Sequence, residues 1–316
     1  MTYWSRCKMQ KIDKLLDSLN EWIEKADTDD FTASLPADLE VLDMLPGYVE
    51  EFEKEIAKLL RKQKKHFVDG IKNYTKKDAV EKGIKIKDII DFVTGSLFGA
   101  DTFAKSLSKA ARKFLNYTMK DMTKAFMDAI DPDIQFNIFS KRTTKWIDSW
   151  SDELGKIMKI NSHKAVERIL NEGLEKGKGI KEIARELAKL PEFDRKRAKT
   201  TAQTEVLAAC SASQFESYRQ SPAVTGKKWR HSGAKNNQPR DNHVAYDGTT
   251  VLVEEEFELP GSGERCMFPR DSSLSAKERV KCKCVMSPAV DNNILGLSEE
   301  EKQKIREETL KELNKK

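Results

Sequence analysis

Apolar residues along the first two thirds of the chain return every three or four positions, the period of a helix buried on one face. Ile12, Leu15, Leu16, Leu19, Trp22 and Ile23 form one such stripe, and Val49, Phe52, Ile56, Leu59, Leu60 and Phe67 a second. Residues 27–46 between them are polar and contain proline, which reads as a connection. A third stripe runs Phe103, Leu107, Ala111, Phe114, Thr118, Met122 and Phe126, with Asp101 placed to cap its first turn. Asp131-Pro132 ends it, because the residue before a proline is pushed out of the helical region. Trp146, Ile147, Trp150, Leu154, Ile157 and Met158 mark a fourth helix. Asn161-Ser162 then offers a fresh start for a shorter one through Val166, Ile169, Leu170 and Leu174. Glycines at 173, 177 and 179 predict a tight turn before Ile180, Ile183, Ala184 and Leu187, and Pro191 stops that helix. A further helix, about 194–219, carries Thr204-Glu205.

The period shortens after Pro222. Residues 227–231 read as a strand, and residues 245–246 and 249–253 flank Asp247-Gly248, a dipeptide that favours a tight turn with positive φ. Residues 254–263 are acidic and then rich in glycine and proline, and 266–277 form a polar loop. Residues 280–286 read as a strand of period two. Val280, Cys282, Cys284 and Met286 then share one face, and Lys281, Lys283 and Val285 take the other. Ser298 with Glu301 makes a capping box that opens a charged terminal helix. The expected fold is mainly α with a small α+β C-terminal domain, long amphipathic helices leading into short antiparallel strands. Residues 1–140 form an extended helical region, 141–290 the domain of helices and strands, and 291–316 the charged helix.

Composition changes this picture little. A chain of 316 residues has room for two domains, and 34% charged residues with a mean hydropathy of −0.65 predict a soluble protein. The most apolar run, residues 89–103, is broken by Asp91, Gly95, Gly99 and Asp101, so no membrane anchor is expected. The N-terminus lacks the basic-then-apolar pattern of a secretory signal, which predicts a cytoplasmic protein. Five cysteines (7, 210, 266, 282 and 284) are too few and too uneven for a disulfide framework and point to reduced thiols. The net charge of +5 is small, but its distribution is uneven. Residues 1–60 hold 7 Lys/Arg against 14 Asp/Glu, residues 61–87 hold 10 against 3, and residues 193–235 hold 9 against 3. The two basic stretches are candidates for contact with a polyanion.

The chemistry concentrates between residues 229 and 284. Trp229, His231, Arg240, His243, Asp247-Gly248, Phe257, Cys266, Cys282 and Cys284 fall there in order. His243 with Cys266, Cys282 and Cys284 makes a Cys₃His set suited to tetrahedral zinc, although the spacing is not that of the usual cysteine pairs. The alternative is that these thiols are small buried hydrophobes. A metal-dependent nuclease or effector would need a His/Cys site within 231–284, with His231 as its second histidine. The zinc deaminase pattern, the H-E-x-x-H signature and any glycine-rich phosphate loop are absent from the sequence. Glu205, on a helix of small residues, is placed to form a structural ion pair with Arg240 or a basic strand.

The ordered series resembles the Mu F-like phage head morphogenesis family, the minor head proteins of tailed phages. Residues 146–154 and 179–187 resemble its helical lead-in, and Ala202-Gln203-Thr204-Glu205 its A-R-T-E helix, with Gln203 where arginine is usual. Lys228-Trp229, Arg240 with His243, Asp247-Gly248, Phe257 and the run 280–284 resemble its K-W, R-x-x-H, D-G, F and N-C-R-C elements. Lys281 and Lys283 stand where asparagine and arginine are usual. The resemblance covers about residues 140–290. It implies a minor capsid protein with a structural rather than enzymatic role in head assembly, in the capsid interior or at the portal vertex. Portal protein and major capsid protein are its implied partners, with packaged DNA contacted through residues 61–87 and 193–235. In this picture Glu205, Trp229, Arg240, His243, Asp247, Gly248, Phe257, Cys282 and Cys284 hold the domain's shape.

Overall fold

The computed structural model describes residues 40–78, 86–136, 138–231 and 240–315. The expected helix over Ile12–Ile23, and Cys7, lie outside them. Among the described residues seven helices precede the first strand: α1 (Glu40–Asp78), α2 (Ile86–Phe92), α3 (Phe98–Ala100), α4 (Phe103–Ile130), α5 (Lys141–Glu175), α6 (Ile180–Ala188) and α7 (Arg195–Gln220). A π-turn (Val93–Leu97) links α2 to α3, and a 3₁₀ turn (Pro191–Phe193) precedes α7. The remainder alternates β1 (Val224–Arg230), α8 (Asp241–Ala245), β2 (Thr250–Leu252), β3 (Phe257–Glu258), β4 (Arg265–Cys266), α9 (Ala276–Arg279), β5 (Val285–Val290), α10 (Asn292–Leu295) and α11 (Glu299–Lys315). The chain is therefore mainly helical, with short antiparallel strands near its C-terminal end.

Two helix boundaries differ from the sequence reading. Glu40–Pro46 is part of α1 rather than a connection, since one proline removes a single bond from the ladder without ending a long helix. Asn161-Ser162 starts nothing, and α5 runs unbroken for 35 residues. Buried Ser162 turns its hydroxyl back onto the Met158 carbonyl at 3.0 Å, the way serine is accommodated inside a helix.

The described residues gather into two compact units, each discontinuous in sequence, rather than the contiguous spans 1–140, 141–290 and 291–316. One unit comprises Glu50–Phe114 and Asp148–Ala202, and its described residues form helices and turns without a strand. Its core joins Phe67 and Ile71 of α1, Val93 and Leu97 of the π-turn, Val166 and Leu170 of α5, and Ile183 and Leu187 of α6. Asp101 ties several of its helices together. Its carboxylate accepts from the Phe103 N–H at 2.9 Å, from Gln63 at 2.7 Å and from the His163 ring at 2.9 Å. Burial raises the Asp101 pKa, but these bonds outweigh it and hold the carboxyl below its usual range.

The other unit comprises residues through Val49, Leu115–Ile147 and Gln203–Lys316. Its three-stranded antiparallel sheet has the order β2-β1-β5, with Lys227 opposite Val251 on one side and Pro288 on the other. The C-terminal half of α7 is fastened to the sheet by Gln214 and Tyr218, which both donate to the Met286 carbonyl. β3 and β4 form a separate hairpin. The expected capping box is present, with the Ser298 N–H donating to Glu301 at 3.0 Å. It opens α11, whose Lys302 is buried against Asp131 at 3.0 Å and Asp133 at 2.7 Å.

Candidate functional site

Every residue of the 229–284 series lies in the unit that carries the sheet, as does Glu205. The cluster begins on α7, where buried Glu205 meets Arg279 of α9 in a two-pronged ion pair of 2.8 and 3.1 Å. The third guanidinium nitrogen, Nε of Arg279, donates to the Arg270 carbonyl at 2.9 Å. Arg270 is itself fully buried. It donates to the Cys282 carbonyl at 2.7 Å and to the Ser211 hydroxyl at 2.6 Å.

Two backbone reversals shape this region. Arg270 (φ 68°) and Lys281 (φ 58°) both adopt the left-handed conformation that non-glycine residues seldom take. The second breaks the pleat expected over 280–286. β5 starts only at Val285, and residues 282–284 approach it irregularly. The two thiols still turn inward together, whereas Lys283, expected on the outer face, is buried. Only Lys281 of that face is solvent-exposed.

His243, on the one-turn helix α8, stands between a carboxylate and two sulfurs. Its Nε2 lies 2.9 Å from Oε2 of Glu278, and its Nδ1 lies 3.6 Å from the Cys282 sulfur and 3.5 Å from that of Cys284. The Asn242 amide also donates to the Glu278 carboxylate, at 3.2 Å. The ring of buried Trp229 packs edge-on against His243 at 5.4 Å and against Phe257 at 5.3 Å. The Cys282 pKa is held low, first by a hydrogen bond from the Cys284 thiol, and Cys284 is correspondingly raised.

The remaining named residues frame this centre. Arg240 donates to the carbonyls of Lys277 at 2.6 Å and Val280 at 2.7 Å, so the α8 and α9 turns are bound to each other. The Asp247 carboxylate accepts from the His231 N–H at 2.8 Å, and Gly248 (φ 81°) donates to the Trp229 carbonyl at 2.9 Å. Asp247-Gly248 does make the expected turn, but the segment before it is helix α8, and β2 pairs with β1. Phe257 pairs with Cys266 across the β3–β4 hairpin.

Among the described residues, His243, Cys282 and Cys284 form a group of potential ligands whose donor atoms all lie within 4.8 Å of one another. Cys266 and His231 stand outside that group. Burial, more than any neighbouring charge, pushes the Cys266 thiol well above its usual range, as befits a packed hydrophobe. The Glu205 carboxylate is paired with Arg279, not with Arg240. Glu278, Arg279 and Arg270 were the functional positions hidden from sequence reasoning. Each lies in a stretch of mixed polar residues, and the αL reversals that turn them inward leave no hydrophobic period behind.

Of the second basic stretch, 193–235, Arg195, Lys196 and Arg230 are exposed, while other cations are drawn into the fold. Arg219 and Lys227 are buried, and Arg197 is half-buried, donating to Ser162, Glu192 and Met158. Burial lowers the Lys227 pKa to about 8, while its ammonium donates to the Met267 carbonyl at 2.8 Å and lies over the Phe215 ring at 4.5 Å. No helix among the described residues is long and apolar enough to cross a membrane.

Comparison with known proteins matches residues 164–287 to the family described as phage Mu protein F-like. That span contains Glu205, His243, both inward cysteines, and the two buried arginines at 270 and 279. The uncharacterized protein YqbB of Bacillus subtilis (strain 168) is 50% identical over 304 residues, which cover 96% of this chain and 99% of that protein. The likeness thus extends well into the helical region ahead of residue 140. No solved structure matches the chain. By its matched domain and its near full-length relative, the chain belongs to the phage Mu protein F-like family.

Proposed function

We propose that this chain is a phage head morphogenesis protein, a minor capsid component that acts by binding and shape rather than by catalysis. It takes part in head assembly near the portal vertex, in the host cytoplasm, and remains in the virion. Family membership supports the head assignment. The observation that carries the structural role is burial. Glu205, His243, Glu278, Cys282 and Cys284 are each no more than 2% exposed, and Arg270 is at 0%. Groups so enclosed give a substrate no access, and their hydrogen bonds run to one another and to backbone carbonyls. The nuclease alternative also requires His231 beside the His243 centre, whereas His231 lies outside it.

The partners that fit this role are the portal and the major capsid protein. Packaged DNA is a third, through the helical unit. There α1 exposes Arg61, Lys62, Lys65 and Lys72, and a cleft of about 400 Å³ is lined by Arg61, Lys64, Lys189 and Arg195. From 193–235 the exposed Arg195 and Lys196 join this surface, whereas buried Arg219 and Lys227 do not.

The test is quantitative mass spectrometry of purified virions, paired with a deletion of the gene. A few copies per virion, and heads that form poorly or fail to infect after deletion, are the expected results. A chain absent from virions whose loss leaves head yield and infectivity unchanged overturns the assignment. For DNA, binding by the purified chain should fall steeply with salt and weaken when Lys62 and Lys65 are changed to glutamine.

A further inference from the structure

We infer that His243, Cys282 and Cys284 bind one zinc ion, with Glu278 fixing the histidine ring behind it. The inference concerns chemistry inside the domain and does not depend on the role in head assembly.

The histidine tautomer comes first. Nε2 faces the Glu278 carboxylate at 2.9 Å, and an ionised carboxylate only accepts, so the ring proton sits on Nε2. Nδ1 then presents a bare lone pair, and both sulfurs converge on it at 3.6 and 3.5 Å. Hydrogen bonds can link these groups only in series, Cys284 to Cys282 and one thiol to Nδ1, whereas a metal ion takes all three donor atoms at once. Zinc bonds of about 2.3 Å to sulfur and about 2.0 Å to nitrogen, at a tetrahedral angle, put sulfur and nitrogen about 3.5 Å apart. The observed separations therefore already equal the edge of a zinc tetrahedron.

The surroundings fit the same ion. Two thiolates and an imidazole are a donor set that favours zinc over magnesium or calcium. A ligating histidine whose other nitrogen is bound to a carboxylate is the usual outer arrangement of zinc sites, and Asn242 in turn steadies Glu278 here. A divalent ion with two thiolates and a neutral imidazole carries no net charge, which suits a site this deeply buried. Metal entry displaces the thiol protons to solvent and changes no oxidation state. Among the described residues three donors are offered, so one corner of the tetrahedron is left for water.

The ion would fasten α8 to the segment before β5, closing a loop of about forty residues. That role needs no substrate access and explains why a Cys-x-Cys pair is enclosed with both thiols free.

The test uses the untagged full chain, expressed in zinc-containing medium and purified with reducing agent and without chelator. Elemental analysis should find about one zinc per chain. Exchange for Co(II) should give the visible bands of a tetrahedral site and a near-ultraviolet band from thiolate ligands. Chelator should lower the Tm by roughly 5 °C or more, and zinc should restore it. Cys282→Ser and Cys284→Ser should abolish the thiolate band or bind Co(II) at least tenfold more weakly, whereas Cys266→Ser should keep both metal and spectrum. The wild-type readouts stand even if the cysteine variants fail to fold. Wild-type chain that stays below about a tenth of a zinc after reconstitution and gives no thiolate band with Co(II) overturns the inference. So does a Cys282–Cys284 disulfide in protein isolated with its thiols trapped, and so does loss of metal in a folded Cys266→Ser variant.

Discussion

Lys281 holds a left-handed backbone with its side chain in solvent, and nothing in that position rewards a lysine. Asparagine tolerates this conformation better than other non-glycine residues. The N-C-R-C run that residues 281–284 resemble places asparagine at this very reversal, and the φ of 58° supplies its physical reason. Lys281→Asn should therefore raise stability by about 0.5–1 kcal/mol, seen as a higher urea midpoint at unchanged m-value. An unchanged or lower midpoint would mean that backbone strain is not felt there. Glu205 predicts the opposite sign. Glu205→Gln leaves the buried Arg279 guanidinium without its counter-charge, and loss of one partner from such a pair costs about 3–5 kcal/mol. Urea unfolding measures it, and a cost under about 1 kcal/mol would mean that Arg279 is compensated from elsewhere. Glu205 was legible as a structural anion because it sits among alanines on a packing helix. Its partner was not, since Arg279 lies 74 residues away and no local pattern couples the two.

Helices were the most legible elements, because their apolar stripes are long and their caps chemically distinct. Asp101 illustrates both. Its position predicts the cap of α4 and it does accept from the Phe103 N–H, but its bonds to Gln63 and His163 come from helices whose packing the sequence does not specify. Those bonds hold the folded pKa below the unfolded value. Their stabilisation is therefore complete above about pH 4 and is lost as pH falls through the lower folded value. Asp101→Asn should be destabilised at neutral pH, and its deficit relative to the parent should shrink below about pH 4. A deficit that stays constant down to pH 2 would show that the charge is immaterial. Close helix packing makes a second prediction. A Cβ on Gly155 of α5 would stand 2.5 Å from the Ala104 carbonyl oxygen of α4, a backbone atom that cannot swing aside. Gly155→Ala, which ordinarily favours a helix, should here lower stability by about 1–3 kcal/mol in thermal or urea unfolding. The strands were read less well. A period-two pattern predicted 280–286, but the αL turn at Lys281 delays β5 to Val285, and such a turn is invisible when no glycine marks it.

Division of the whole chain into units was the least legible feature, because charge and periodicity vary along the sequence while compactness depends on contacts across it. Residues 291–316 looked like a separate charged appendage, yet α11 is built into the sheet-bearing unit. Its Lys302 side chain is 1% exposed, between Asp131 and Asp133. Two of its other side chains reach further into the same unit: Gln303 donates to the Asp133 carbonyl, and Arg306 donates to Gln220 on α7. Burial opposes the charge, but the Asp133 and Asp131 carboxylates outweigh it and raise the Lys302 pKa, so the ammonium is charged throughout the neutral range. A chain ending at residue 297 would leave buried Asp131 facing an apolar interior without its cation. The cost of such a broken pair is about 3–5 kcal/mol, a large part of a typical domain's total stability. The truncated chain should accordingly unfold at a lower urea concentration than the full chain, and Lys302→Met alone should reproduce much of the loss. If truncation leaves the transition unchanged, α11 is an accessory and its charged face is available to a partner. If the loss appears as predicted, the terminal helix is part of the fold.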